Sequence, residues 1–409
     1  MSGLFLKLRP KVVFKLEKTH KTMARKIFSN LLFKVFVGIL LGVLSGLYLP
    51  EWLNRIFATF NALFNEFLSF SIPLIILGLV APAIFDLGKS AGKLLIITVL
   101  IAYASTFFSG FMTYFVSEAV FPRLISSQDY QVSQLSENAR EAVPYFSIQI
   151  PPVINIMSAL VMAFMIGLGL SFKRNSVLGS VFKDFQEIIV KVIERVIIPL
   201  LPFFILGIFS QMAFSGKVAA VLSVFLKIIG VIFLMHIGLL LMQYLIAGLI
   251  TKKNPIKALG VMLPAYFTAL GTQSSAATIP VTLRQVRLNG VDEDVAGFTV
   301  PLCATIHLAG STMKIVACTI ALMLMQGMPY DFQLFAGFIL MLGIVMIAAP
   351  GVPGGAIMAT VGILQSMMGF NQEAVALMIA LYIAMDSFGT ACNVTGDGAI
   401  ALIVNKIYK

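Results

Sequence analysis

The sequence predicts an all-α polytopic membrane protein, and three observations support that fold class. Hydrophobic residues make up 59% of the 409 residues and charged residues only 11%, whereas a soluble domain carries about 25% charged residues. The mean hydropathy is +0.97. Apolar runs longer than about 18 residues recur along the chain, and each is long enough to cross a bilayer core about 30 Å thick. A soluble core does not need so much apolar length.

The first helix follows a strongly basic N-terminal segment. Residues 1–26 hold eight Lys or Arg, so the positive-inside rule predicts that this segment faces the cytoplasm. We expect the chain to lie in the cytoplasmic membrane. The next run, 27–50, is too long for the apolar region of a signal peptide and has no small-residue cleavage site. We therefore expect it to be retained as a membrane helix. The net charge of +11 is explained by membrane topology and does not indicate a nucleic-acid partner.

Five further apolar runs complete the region 27–250, which we predict to hold six membrane helices. The runs lie at 61–85, 94–121, 151–171, 180–213 and 218–249. Basic residues cluster at alternate ends, as in Lys252 and Lys253, and we expect those ends to face inside. The polar stretch 123–148 should face outside. No linker divides the chain into soluble domains.

The C-terminal part changes pattern, because two segments each hold two short apolar arms. Segment 255–290 has a Ser-rich centre, and segment 332–369 has a centre rich in Pro and Gly. Each arm has about a dozen residues, too few to cross a membrane at about 1.5 Å per residue. Because the two would enter from opposite sides, they predict two re-entrant helical hairpins in an inverted repeat, with 254–405 as the core of a binding site. The alternative is a pair of kinked helices in an ordinary bundle.

Each predicted hairpin is followed by a long helix, 294–325 and then 372–405, and the last helix carries a polar stripe. The stripe consists of Asp386, Thr390, Asn393 and Asp397. Spacings of four, three and four residues place these side chains on one face, over about 16 Å. A carboxylate at membrane depth costs several kcal/mol unless it is paired or wet. Two on one stripe therefore predict one shared polar cavity with a cationic partner, and a buried structural network is the alternative.

The cationic partner is expected on the preceding helix. Lys314 is the only Lys or Arg between residues 288 and 405, and it lies too far from either helix end to reach water easily. We expect it to pair with Asp397 or Asp386. His307 precedes it by seven residues, hence on the same helix face, and is a candidate proton carrier. The alternatives are a purely structural ion pair and a satisfied core histidine.

The motifs of the common enzyme classes are missing from the sequence. The stretch GTQSSAA lacks the G-x-S-x-G pattern of a nucleophilic serine. The sequence has no H-E-x-x-H zinc motif, no Walker A motif and no dinucleotide-binding glycine pattern. We therefore predict no enzyme, no resident metal and no cofactor. A channel stays open as a function class, because polar membrane helices serve channels too.

Four motifs together resemble one family of membrane carriers. The motifs are QSSAATIPVTLRQV, PLCATIHLAGST, PGVPGGAIM and NVTGDGAI. They resemble the dicarboxylate/amino acid:cation symporter family, which includes the glutamate transporters, most strongly over 255–405. The resemblance implies a lipid-embedded homotrimer with eight membrane helices and two re-entrant hairpins in each protomer. The first, second, fourth and fifth helices would form a trimerisation scaffold. The third and sixth would join 254–405 in a transport domain that moves as an elevator.

The resemblance also implies roles for the polar residues. Asp386 would hold the ammonium of a small-molecule substrate, and Thr390 and Asn393 would hold its polar groups. Ser311 matches the Thr of the family motif N-M-D-G-T. Asn393 and Asp397 match a family cation site.

The tips of the two hairpins would contribute mainly backbone groups to the same substrate. The residues concerned are Gln273 and Ser275 at the first tip, with Val352 and Ala356 at the second.

Departures from the family pattern bear on substrate and coupling. Gly389 stands where carriers of acidic amino acids place an Arg, and Gly offers no bidentate clamp for a carboxylate. The N-M-D-G-T motif has become residues 307–311 and loses its Asn and Asp. Met346 and Ala349 stand where Ser and Thr would offer oxygen ligands to a hard cation. We therefore expect small neutral amino acids, no sodium coupling, and Lys314 as a tethered cation.

Other functions remain open at this point. They are a sodium- or proton-coupled symporter of acidic amino acids or C4-dicarboxylates, an uncoupled exchanger, and an anion-conducting channel or a sensor.

Overall fold

A computed structural model describes residues 31–89, 93–125, 142–172, 176–216, 218–347, 349 and 353–408. Throughout these ranges every regular element is a helix, in agreement with the predicted all-α class. The basic segment 1–26 and Val352 lie outside the described residues.

The helices are α1 (Leu31–Tyr48), α2 (Glu51–Lys89), α3 (Lys93–Leu124), α4 (Ile156–Ser171), α5 (Val177–Val192), α6 (Ile198–Phe214), α7 (Val218–Thr251), α8 (Pro255–Thr272), α9 (Ser275–Leu288), α10 (Glu293–Ile306), α11 (Ala309–Gln326), α12 (Phe332–Ile347), α13 (Gly355–Met368), α14 (Gln372–Ala384) and α15 (Asp386–Tyr408).

Six helical segments of the described chain are long and apolar enough to cross a membrane, and the bent pair α14–α15 makes a seventh if counted as one span. One of the six is formed by α5, a π-helical turn (Ile193–Ile197) and α6, and another by α10 with α11. The eight membrane helices predicted from the sequence are therefore reached only if α4, which has 16 residues, is counted as one of them.

The helix α4 is shorter than the predicted run 151–171 for a local reason. Residues 151–155 are not in helical conformation. The Asn155 side chain then accepts a hydrogen bond from the Ser158 N–H at 2.7 Å, which caps the helix at its observed start.

Both long helices predicted after the hairpins are interrupted where their polar residues begin. The predicted helix 294–325 consists of α10 and α11, with His307 and Leu308 between them in non-helical conformation. The predicted helix 372–405 consists of α14 and α15, bent by 60° at Met385. The expectation that His307 and Lys314 share one helix face was therefore wrong, because the helix does not run continuously between them.

The two predicted hairpins are present as consecutive helices, α8–α9 and α12–α13. At the first tip Gln273 ends α8 in the left-handed region with φ +54°, and the Ser274 hydroxyl accepts the Ala277 N–H at the start of α9. At the second tip Gly354 has φ +76°, a conformation that glycine adopts without steric cost. Both tips lie next to α15.

The polar helix α15 is surrounded by other helices of the bundle. Helices α3, α7, α8, α9, α10 and α11 all contact it, and every described residue of α11 from Ala309 to Met323 is buried. An apolar helix that is buried all round belongs to the interior of a bundle. The polar side chains of α15 therefore meet protein groups on every side.

Candidate functional site

A small, partly open cavity lies where the two hairpin tips, the α10–α11 break and α15 meet. We call it the hairpin cavity. It is lined by Gln273, Ser275, Ala304, Thr305, Leu308, Ser311, Ala349, Ala356, Tyr382, Asp386, Thr390 and Asn393. Seven of the nine residues assigned to the substrate from the sequence are in this lining. Of the other two, Val352 is not described and Gly389 lies behind the lining.

Lys314 and Asp386 form a buried ion pair beside the cavity. The Lys314 Nζ atom lies 3.0 Å from Asp386 Oδ1, and the lysine side chain is 0% exposed. Of the two partners that the sequence left open, the structure selects Asp386. The other carboxylate oxygen accepts the Gly354 N–H at 2.8 Å, so one aspartate joins α15, α11 and the second hairpin tip. A buried charge with such partners avoids the large cost of an unpaired one.

Gly389 provides the space that Lys314 occupies. A Cβ atom at this position would lie 2.6 Å from the Lys314 Nζ atom and 3.0 Å from its Cδ atom. Any side chain at 389 would therefore displace the amine. Gly389 was assigned to the substrate from the sequence, but its observed neighbour is the lysine.

A second buried pair joins His307 to Asp397. The His307 Nδ1 atom lies 2.8 Å from Asp397 Oδ1, with the two side chains 0% and 1% exposed. On the other side of the ring, the Nε2 atom lies 3.0 Å from the Ser105 hydroxyl, which also accepts a hydrogen bond from Gln243 at 2.9 Å. This network ties α15 to α3 and α7.

The two pairs do not share a cavity. Asp386 lines the hairpin cavity, whereas Lys314, His307 and Asp397 are not among its described lining residues. The expectation of one pocket for the whole stripe was therefore wrong at Asp397. The reason is the α10–α11 break, which turns His307 toward Asp397 and leaves Leu308 to face the cavity.

Asn393 stabilises that break. Its Oδ1 atom accepts the Gly310 N–H at 2.8 Å and the Ser311 N–H at 3.3 Å, which are free donors at the start of α11. Its Nδ2 atom donates to the Ser311 hydroxyl at 3.1 Å. Asn393 therefore holds the unwound backbone and lines the cavity at the same time.

Tyr382 is a site residue that the sequence reasoning missed. Its hydroxyl donates to the Ser311 hydroxyl at 3.1 Å, and the Lys314 Nζ atom lies 3.7 Å from the centre of its ring. It lines the hairpin cavity. The available signal was its position four residues before Asp386 inside an otherwise apolar run.

Two of the oxygens that the sequence matched to a family cation site already have hydrogen-bonding partners. Asn393 Oδ1 accepts two backbone N–H groups, and Asp397 Oδ1 faces the His307 ring. Met346 is buried and Ala349 lines the cavity, and neither side chain has an oxygen. A hard cation prefers a shell of oxygen ligands, so these side chains fit sodium poorly.

A polar cavity between two hairpins and two broken helices, inside a bundle of membrane-length helices, defines a multi-pass membrane transporter. The chain belongs to the sodium:dicarboxylate symporter family, whose model matches residues 31–407. The resemblance that the four motifs indicated is thereby confirmed.

Individual relatives bear different substrate names. A serine/threonine transporter SstT from Streptococcus suis is 31% identical over 347 residues, covering 80% of this chain and 93% of the relative. The SstT of Acinetobacter baylyi is 26% identical over 402 residues, covering 93% of this chain and 98% of the relative. The excitatory amino acid transporter 2 of Mus musculus is 27% identical over 292 residues, covering 68% of this chain and 50% of the relative.

Proposed function

We propose that the protein carries small neutral amino acids, with serine as the first candidate, across the cytoplasmic membrane without sodium coupling. In this proposal Lys314 acts as a tethered cation. The observation that supports it best is the buried pair of Lys314 with Asp386 next to the hairpin cavity. A positive charge that other carriers obtain from a dissolved ion is here part of the chain.

The lining of the cavity supports a substrate without net charge. None of its described residues is Lys or Arg, so a carboxylate on a substrate side chain would find no cation there. The hydroxyl of a serine or threonine could instead bond to Ser311 or Thr390. The Ser311 oxygen already accepts two hydrogen bonds, so its own proton is free to be donated. The SstT relatives carry serine and threonine in their name.

The tethered-cation proposal also has an electrostatic basis. A membrane carrier must move its site past a low-dielectric barrier, and an uncompensated carboxylate there costs several kcal/mol. Lys314 compensates Asp386, and the His307 ring can serve Asp397 in the same way. The site therefore needs no bound cation to hold its two carboxylates.

We further propose the architecture that the family resemblance implies, a homotrimer with an elevator motion and a cytoplasmic N-terminus. The scaffold would comprise α1, α2, α4 and α5–α6, and the transport domain α3, α7 and α8–α15, with α8–α9 and α12–α13 as re-entrant hairpins. The packing supports this division. Helix α1 packs on α6 and α2 on α4, whereas α3, α7, α8 and α10 surround α15.

The test is counterflow in proteoliposomes that contain the purified full chain. We expect labelled L-serine to exchange against internal L-serine at the same rate with and without a sodium gradient. A sodium-driven overshoot would overturn the coupling proposal. Uptake of L-aspartate or succinate in preference to L-serine would overturn the substrate proposal and favour the acidic-substrate alternative. Binding of L-serine without any flux would favour a sensor.

A further inference from the structure

We infer that Tyr382 positions Lys314 and, by keeping the lysine ammonium out of the hairpin cavity, makes the protein select neutral over acidic substrates. The inference rests on the proposed function and deepens it, because it names the residue that sets charge selectivity.

Three groups enclose the Lys314 ammonium. Its Nζ atom lies 3.0 Å from Asp386 Oδ1 and 3.7 Å from the centre of the Tyr382 ring, and it fills the space beside Gly389. A cation over the face of a desolvated aromatic ring is attracted by the ring's quadrupole. The ring therefore holds the amine from a side that Asp386 does not reach.

The Tyr382 ring also separates the amine from the cavity. Tyr382 and Asp386 are both lining residues, whereas Lys314 lies behind them with no exposed surface. The ring is fixed at its far end, because its hydroxyl donates to the Ser311 hydroxyl. Ser311 is fixed in turn by the amide of Asn393. The barrier between the lysine and the cavity is thus part of a hydrogen-bonded wall.

This arrangement leaves the cavity wall at Asp386 without net charge. The Asp386 carboxylate faces the substrate, and the lysine behind it cancels its charge. A zwitterionic substrate with a neutral side chain meets a wall without net charge. A second carboxylate on the substrate has no accessible cation to pair with, so it must give up its hydration without compensation. Specificity of this kind arises by rejecting the wrong ligand as much as by binding the right one.

Removing the ring should reverse the selection. In Tyr382→Leu the ammonium loses its aromatic partner and gains a path to the cavity, where a side-chain carboxylate can form a charge-assisted hydrogen bond with it. We expect the ratio of L-aspartate to L-serine counterflow to rise by about tenfold or more, the change that corresponds to about 1.4 kcal/mol.

Two control variants separate positioning from a general packing effect. Tyr382→Phe keeps the ring and loses the hydroxyl, so it should retain the wild-type aspartate-to-serine ratio while its KM for serine rises. Tyr382→Leu combined with Lys314→Gln removes the charge that the leucine variant exposes, so the aspartate-to-serine ratio of the flux that remains, measured with sodium present, should return to the wild-type value.

A different substitution at the same position decides the matter if Tyr382→Leu does not fold. Tyr382→Met also removes the ring but fills its space with a flexible side chain, and it should change the ratio in the same direction. Monodisperse elution in detergent establishes that each variant is folded.

Three outcomes would overturn the inference while leaving serine transport intact. They are a wild-type ratio in folded Tyr382→Leu, a gain that persists after Lys314→Gln, and equal ratios in Tyr382→Phe and Tyr382→Leu. A wild-type protein that prefers aspartate to serine overturns the proposed function itself, and the inference with it.

Discussion

The two buried pairs on α15 are chemically alike but differently placed. Each joins a carboxylate of α15 to a nitrogen base from the region around the α10–α11 break. The carboxylate of the first pair, Asp386, faces the hairpin cavity and accepts an N–H group of the second hairpin tip. Asp397, in the second pair, faces His307, which is tied to side chains of α3 and α7.

The difference teaches that one polar stripe can serve two purposes. The end of the stripe near Asp386 is placed to respond to a ligand, because it borders the cavity and a hairpin tip. The end near Asp397 is placed to hold the broken helix in its shape. Substitutions at the first end should change selectivity and stability together, whereas those at the second end should change stability and rate but not selectivity.

The largest effect is expected from removing Lys314. In Lys314→Ala the Asp386 carboxylate is left buried without its cation, which costs about 3–5 kcal/mol. We expect a lowered unfolding temperature and a loss of serine counterflow, both partly restored by sodium ions. The unfolding temperature of the variant in detergent is measured once in sodium chloride and once in choline chloride, and the difference gives the effect of sodium. An unchanged unfolding temperature and unchanged transport would contradict the tethered-cation proposal.

The matched control for that variant is Lys183→Ala. Lys183 pairs with Asp86 at 2.9 Å, but both side chains are about half exposed, at 48% and 47%. Because exposed pairs contribute about 0–1 kcal/mol, this variant should unfold close to the wild-type temperature.

The second largest effect is expected from His307→Ala. It removes a hydrogen bond to a charged group, which contributes about 1.5–3 kcal/mol, and leaves the Ser105 hydroxyl without its ring partner. We expect lower stability and slower serine counterflow, but the wild-type ratio of aspartate to serine flux. A change in that ratio would mean that the two ends of the stripe are not separate.

A smaller effect is expected at Gly396, which packs against the second pair. A Cβ atom there would lie 2.7 Å from Gln243 Oε1 and 2.8 Å from His307 Cε1, and overpacking of this kind costs about 1–3 kcal/mol. Gly396→Ala should therefore lower the unfolding temperature. In the control Gly297→Ala the new Cβ atom meets nothing within 4 Å, so this helical position should be neutral or gain about 0.5–1 kcal/mol. Equal shifts in the two variants would contradict the packing argument.

The smallest effect is expected from Ser105→Ala. The hydroxyl links Gln243 to His307, and a neutral hydrogen bond contributes about 0.5–1.5 kcal/mol. We expect a small loss of stability with the selectivity ratio of the wild type. If Ser105→Ala lost more stability than His307→Ala, Ser105 of α3 and not the His307 ring would contribute most of the stability of this network.

The sequence predicted much of this fold because its signals are long-range averages. Composition and apolar run length identify membrane helices directly, and the Ser-rich and Pro-Gly-rich centres mark the two hairpin tips. The polar stripe predicted Asp386, Thr390 and Asn393 around one cavity, since helical periodicity holds along α15.

The parts that the sequence did not predict depend on contacts between helices. The break at His307 and Leu308 carries no Pro or Gly of its own, and it is stabilised by Asn393, more than 80 residues further along the chain. The choice of Asp386 over Asp397 as the lysine's partner follows from that break. Tyr382 was missed for a related reason, because one tyrosine among apolar residues resembles a core residue until its neighbours are known.

The contact between Lys314 and Gly389 has a consequence for how relatives of this chain can diverge. Since a Cβ atom at 389 would collide with the lysine amine, the residues tolerated at 389 depend on the residue at 314. A descendant that first replaces the lysine by a shorter residue can later acquire an alanine, serine or larger group at 389. The reverse order passes through a variant in which the lysine amine must move, so it is the less favourable order.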